Sequence, residues 1–132
     1  MFLNKLTDQE KEAFISLSIH AANADTVFVE EEKALIQDYC KEMGIVFFDS
    51  SSIMPLEELK KIYADSSINN KKIVLFELLG LVYVDGKYDN EEKNFINEFA
   101  EAIGLSAEEV AVQTKLIEKY IAILGEIMQA LL

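Results

Sequence analysis

The side chains best suited to chemistry are carboxylates gathered in two short segments. Asp85, Asp89 and Glu92 fall close together, and Asp25, Glu31 and Glu32 form a similar group sixty residues earlier. Carboxylates at this spacing can converge on a hard cation, which prefers oxygen ligands. Asp25 and Asp85 fall where a helix should end, and there the helix dipole disfavours an anion. A cation, a lysine or the amide end of the next helix must compensate. Glu32 and Glu92 precede apolar positions by three and four residues, namely Leu35 and Ile36, and Phe95 and Ile96. That places both glutamates along the core side of their helices. An architectural reading stands beside the cation reading. Asp89-Asn90-Glu91-Glu92 is also a helix N-cap with an acidic third position, and Gly86 is a glycine of the kind that ends helices. The segment is not an EF-hand: counting from Asp85, the third, sixth and twelfth positions are Lys87, Asn90 and Ile96.

Other reactive side chains are few. His20 is the single histidine and lies on an apolar helix, where a packed, hydrogen-bonded role is expected. Cys40 is the single cysteine and occupies an apolar-stripe position, which suits an inert core thiol. Glu77 interrupts the most apolar run, Ile73 to Val84. It either faces the interior, where burial penalises its charge, or marks a solvent-facing edge, and the edge is the preferred reading. One histidine cannot complete a Ser-His-Asp or Cys-His set with anything recognisable here, and no glycine-rich phosphate loop is present. No enzyme activity is expected.

The elements that position these residues read as helices throughout. Thr7-Asp8-Gln9-Glu10 and Ser106-Ala107-Glu108-Glu109 are capping boxes. Helices are expected over about 8–24, 30–43, 55–66, 69–85, 90–103 and 106–131, the second and fifth closed by Gly44 and Gly104. The fourth is apolar almost all round and should be the central one. The segment 45–54 reads as a connector, pinned to the core by Phe47 and Phe48. The last helix is expected to be continuous or loosened at Gly125. Its apolar stretch, Ile121 to Leu132, either closes the bundle, the preferred reading, or forms an exposed edge for self-association or a partner.

Composition excludes several function classes. The chain has 132 residues, 51% of them hydrophobic, enough for one domain with a real core. Its net charge is -12, and every basic residue is lysine. Nucleic acid and anionic membrane surfaces are therefore not expected partners, and direct membrane insertion is not expected either. An acidic surface attracts cations or a basic patch on a protein. One cysteine and no apolar signal segment point to a cytoplasmic protein.

The two acidic segments belong to a repeat. A shift of sixty aligns Ala24–Lys33 with Val84–Lys93 without a gap and runs on to Gly44 and Gly104, giving pseudo-repeats of about 14–45 and 74–105. The paired positions Leu35/Phe95, Ile36/Ile96, Tyr39/Phe99, Cys40/Ala100 and Met43/Ile103 share one helical face. Two such hairpins must pack together, which predicts a single domain over 1–132: an all-α, compact bundle of about six helices built from two pseudo-repeated helical hairpins.

An apolar helix ending in Asp-Gly, an acidic cap, then Glu-Glu-Lys and an amphipathic helix resembles the TerB family, the tellurite-resistance-associated helical domains of bacteria. Asp85-Gly86-Lys87-Tyr88-Asp89-Asn90-Glu91-Glu92-Lys93 fits that pattern, whereas in the first copy Thr26 replaces the glycine and Val29 the cap. The resemblance covers about residues 8 to 130. It implies a non-catalytic helical domain of a bacterial metal- or chemical-stress response, with protein partners and a divalent cation. The cation ligands it implies are Asp85, Asp89 and Glu92, with Asp25, Glu31 and Glu32 in the first copy. A homodimer is a further expectation.

Overall fold

The computed structural model describes residues 1–24, 30–45, 53–83 and 89–132, with the side chains of 30–32 set aside. A single 3-10 turn, Leu3–Lys5, leads into six helices: α1 Asp8–Ala22, α2 Glu30–Met43, α3 Leu56–Ala64, α4 Ile68–Val82, α5 Asn90–Ala102 and α6 Ala107–Leu131. The described chain is all-helical, as its periodicity requires. No helix among the described residues is long and apolar enough to cross a membrane.

The helix starts are set locally. Thr7 accepts from the Glu10 amide at 3.2 Å while Glu10 accepts from the Thr7 amide at 2.8 Å. Ser67 caps α4 through the Asn70 amide at 3.2 Å, and Ser106 caps α6 through the Glu109 amide at 3.1 Å. The helix ends repeat one geometry at a sixty-residue offset. Gly44 and Gly104 take φ of 75° and 91°, the left-handed conformation that favours glycine. Beyond them, Ile45 N–H bonds Cys40 O at 2.9 Å and Leu105 N–H bonds Ala100 O at 2.8 Å. Two helices stop earlier than the apolar pattern suggests. α1 and α4 end at Asn23 and Tyr83, each with φ of -92° and ψ near zero, so neither reaches Asp25 or Asp85. The predicted connector roles of Phe47 and Phe48 lie outside the described residues.

α1 and α4 are both 15 residues long and begin sixty residues apart. α4 is central: it packs against α1, α2, α5, α6 and the 3-10 turn. The packing is reciprocal. α1 touches α5 and α4 touches α2, while α3 folds back on α1 and α6 folds back on α4. Each unit thus carries a third helix packed on its own first helix, and the two units meet where α1 and α4 pack on each other and on the opposite unit's second helix. Edge-on aromatic pairs fill the interior: Phe14 with Tyr39 at 5.3 Å and Tyr63 with Phe99 at 5.9 Å.

Three buried polar groups tie the helices together, and the Glu10–Asn70 bond joins the two units. Glu10, 5% exposed, receives the Asn70 side-chain amide at 2.7 Å and the Ser66 hydroxyl, so it ties the start of α1 to the end of α3 and the start of α4. The Tyr63 hydroxyl donates to the Glu10 carbonyl at 2.8 Å. Gln113 donates to the Lys72 carbonyl at 3.1 Å and fixes α6 on α4.

The distal half of α6 departs from the preferred reading. It does not close the bundle: every residue from Ile121 to Leu132 is exposed, and the helix runs unbroken through Gly125.

Candidate functional site

Of the six carboxylates expected to hold a cation, two are described with their side chains. Asp89 is the N-cap of α5: its Oδ1 accepts from the Glu92 amide at 2.9 Å, and Glu92 Oε1 accepts from the Asp89 amide at 3.4 Å. Glu92 is 3% exposed, on the core side as its spacing predicts. Each therefore spends an oxygen on the other's backbone, the arrangement of a reciprocal capping box. Asp25 and Asp85 lie outside the described residues, as do the side chains of Glu31 and Glu32. Among the described residues, no three histidine, cysteine, aspartate or glutamate side chains gather as a metal-binding group.

His20 sits as expected, its Nε2 2.8 Å from the Met54 carbonyl oxygen, which takes the Nε2–H as donor. Cys40 is half-buried against the core, and burial pushes its thiol pKa up, away from the reactive thiolate.

Among the described residues, a concavity lies elsewhere, between α2, α4 and α6. It is an open cavity of about 380 Å³ with a floor of Leu35, Tyr39, Phe76, Gly80 and Ile117. Tyr120, Ile121 and Leu124 of α6 form one wall, and Asp38, Glu42 and Glu77 supply carboxylates at its edge. Glu77 corrects the edge assignment made from sequence: it is 5% exposed. Its Oε1 accepts from the Phe2 amide at 2.8 Å and lies 3.2 Å from the Met1 amino nitrogen, which in turn donates to Glu42 at 2.7 Å. A buried carboxylate persists where it is paired and hydrogen-bonded, and those partners come from the far end of the sequence.

Tyr39 joins the cavity to the core. Its hydroxyl donates to the Glu77 carbonyl at 2.9 Å, and burial, reinforced by Glu77, Glu42 and Asp38, raises its pKa well above the usual value. It remains a neutral donor across the physiological range. On the outer side, the Tyr83 hydroxyl donates to Glu118 at 2.9 Å. The surface is thus apolar at its floor and acidic at its edge. Such a surface can hold apolar side chains of another polypeptide.

Gly80 marks the cavity floor. A Cβ there would meet Tyr39 Oη at 3.7 Å and Ile117 Cδ1 at 3.8 Å, ordinary contact distances. Glycine in a helix interior costs about 1 kcal/mol relative to alanine. Gly80→Ala is therefore expected to raise unfolding free energy by about 0.5–1 kcal/mol in urea titration. A loss instead would mean that the floor cannot accept even one methyl group.

The sequence carries two hints of this site that periodicity alone does not decode. One is an isolated glutamate inside an apolar run; the other is a glycine facing the bulky Tyr39 from a helix interior. Comparisons with family models, curated proteins and solved structures find no match for the chain.

Proposed function

We propose that the chain is a non-catalytic, TerB-like helical domain that works by binding protein partners in a bacterial metal- or chemical-stress response. The observation that carries the binding half is the apolar cavity beside α6, continuous with the exposed apolar side of that helix. The stress-response half rests on the Asp85–Lys93 motif and its repeat. The reciprocal capping by Asp89 and Glu92 favours partner binding over cation binding, because both carboxylates already serve the start of α5.

The test is complementation. A host strain deleted for the gene is challenged with tellurite or a toxic divalent metal and given either the native chain or the double variant Ile121→Asp, Leu124→Asp. Both positions are exposed, so the variant folds, and it is expected to fail to restore growth. Full rescue would overturn the reading. The cation alternative is separated by melting. With EDTA, and then with calcium, magnesium, manganese or zinc, the melting temperature is expected to stay within about 2 °C. A larger rise that Asp85→Ala abolishes would restore the second acidic segment as a cation site.

A further inference from the structure

The apolar side of α6 is one continuous seam with two fates. Val110, Gln113, Ile117, Tyr120, Leu124, Ile127 and Leu131 follow one another at alternating spacings of three and four, the heptad spacing of paired helices. Val110, Gln113 and Ile117 are buried on the bundle. Leu124, Ile127 and Leu131 are 42%, 47% and 77% exposed. The seam keeps its period while its partner runs out, beyond Ile117.

We propose that a second copy of this chain supplies the missing partner. In this dimer the distal halves of two α6 helices pair antiparallel, each covering the cavity of the other copy. This names the partner for the docking surface proposed above and rests on that reading. Three observations lead to it. First, the exposed side chains from Ile121 to Leu131 offer apolar area on the order of 400 Å², the largest patch size a monomer usually tolerates. A stable interface needs about 800 Å² per partner, and the adjoining apolar cavity can make up the difference. Second, knob and hole belong to the same chain, so a two-fold pairing satisfies both at once. Third, the register closes. In an antiparallel pair the heptad layers oppose Leu124 to Ile127, and Tyr120 to Leu131. Tyr120 is in the cavity wall, so Leu131 of a second copy arrives at the cavity mouth. A parallel pair would carry the two Leu131 side chains away from both cavities.

The polar residues agree with a copy of the same chain rather than with a basic helix. The stretch from Ile121 to Leu132 holds a single charge, Glu126, so few like charges meet across the seam. With a net charge of -12 on each copy, overall repulsion opposes the dimer and salt relieves it. A basic partner drawn by the acidic edge would show the opposite salt dependence.

Sedimentation equilibrium on the full chain provides the test. At about 100 µM the expected mass is twice the chain mass of 14.9 kDa, and the dimer fraction rises with added sodium chloride. Ile127→Asp, at an exposed position, is expected to be monomeric with an unchanged helical circular dichroism spectrum. Orientation is read in a Cys40→Ser background. Chains carrying Leu124→Cys and chains carrying Ile127→Cys should form a disulfide with each other and not with themselves. A native chain that is monomeric at that concentration, or a dimer that Ile127→Asp leaves intact, overturns the proposal. Self-cross-linking of the Leu124→Cys chain overturns the antiparallel arrangement. A monomeric native chain together with failed complementation by the Ile121→Asp, Leu124→Asp variant would leave the docking surface standing with a different protein as its partner.

Discussion

Glu10→Ala is expected to cost about 3 kcal/mol of unfolding free energy at pH 7, measured by urea denaturation. The substitution removes the shared acceptor of three donors, the Thr7 amide, the Ser66 hydroxyl and the Asn70 side-chain amide. Those groups stay partly buried, so the loss exceeds that of a single hydrogen bond. Glu10→Gln keeps one oxygen and the side-chain shape and should cost about half as much. The pH dependence separates charge from shape. Burial alone would raise the Glu10 pKa, but the hydrogen bonds from Ser66, Thr7 and Asn70 outweigh it and hold the carboxyl below its ordinary value of 4.5. Because the folded pKa lies below the unfolded one, the carboxylate's contribution is complete above 4.5 and is lost as pH falls through the folded value. Acid denaturation of Glu10→Gln should therefore lack that component. An unchanged acid profile would show that Glu10 contributes through shape alone.

The second large effect is expected at Phe99. Its ring is 1% exposed, edge-on to Tyr63 of α3 at 5.9 Å and stacked 6.4 Å from Phe95 on its own helix. Phe99→Ala should cost about 3–5 kcal/mol, because α3, α4 and α5 cannot all close on the space it leaves. That is a large part of the roughly 5–15 kcal/mol that holds a domain of this size together. Phe99→Leu, which keeps most of the volume, should cost about 1.5 kcal/mol or less. Both values come from chemical denaturation, and a loss below about 1 kcal/mol for the alanine variant would mean that the interior relaxes around the site.

The features legible in the sequence are those with local causes. The Thr7–Glu10 and Asp89–Glu92 boxes are written in four residues each, and the two left-handed glycines close α2 and α5 where the pattern stops. The fold class follows from period and composition. The features that escaped depend on residues far apart. Glu77 looks like a surface glutamate from its own neighbourhood, and it is buried because the Phe2 amide reaches it across 75 positions. The cavity is equally unreadable, since its volume depends on how α2, α4 and α6 diverge, and Glu77 and Gly80 are the local traces of it. The distal half of α6 misleads in the opposite direction. Its apolar pattern says "buried", and the pattern records what the helix is built to pack against, without recording whether that surface lies in the same chain.

The bond between Glu10 and Asn70 carries a consequence beyond stability. The two residues are sixty apart, so each is the other's counterpart in the repeat, and they touch. A position that meets its own counterpart lies on the axis that exchanges the two units. Had the units remained separate identical chains, this point would present the same side chain twice: two carboxylates in repulsion, or two amides without a charge between them. Joined in one polypeptide, the two sides are free to differ, and here one supplies the acceptor and the other the donor. The axis is thus where the repeat is least equal to itself, and that inequality fixes the two units in a single arrangement.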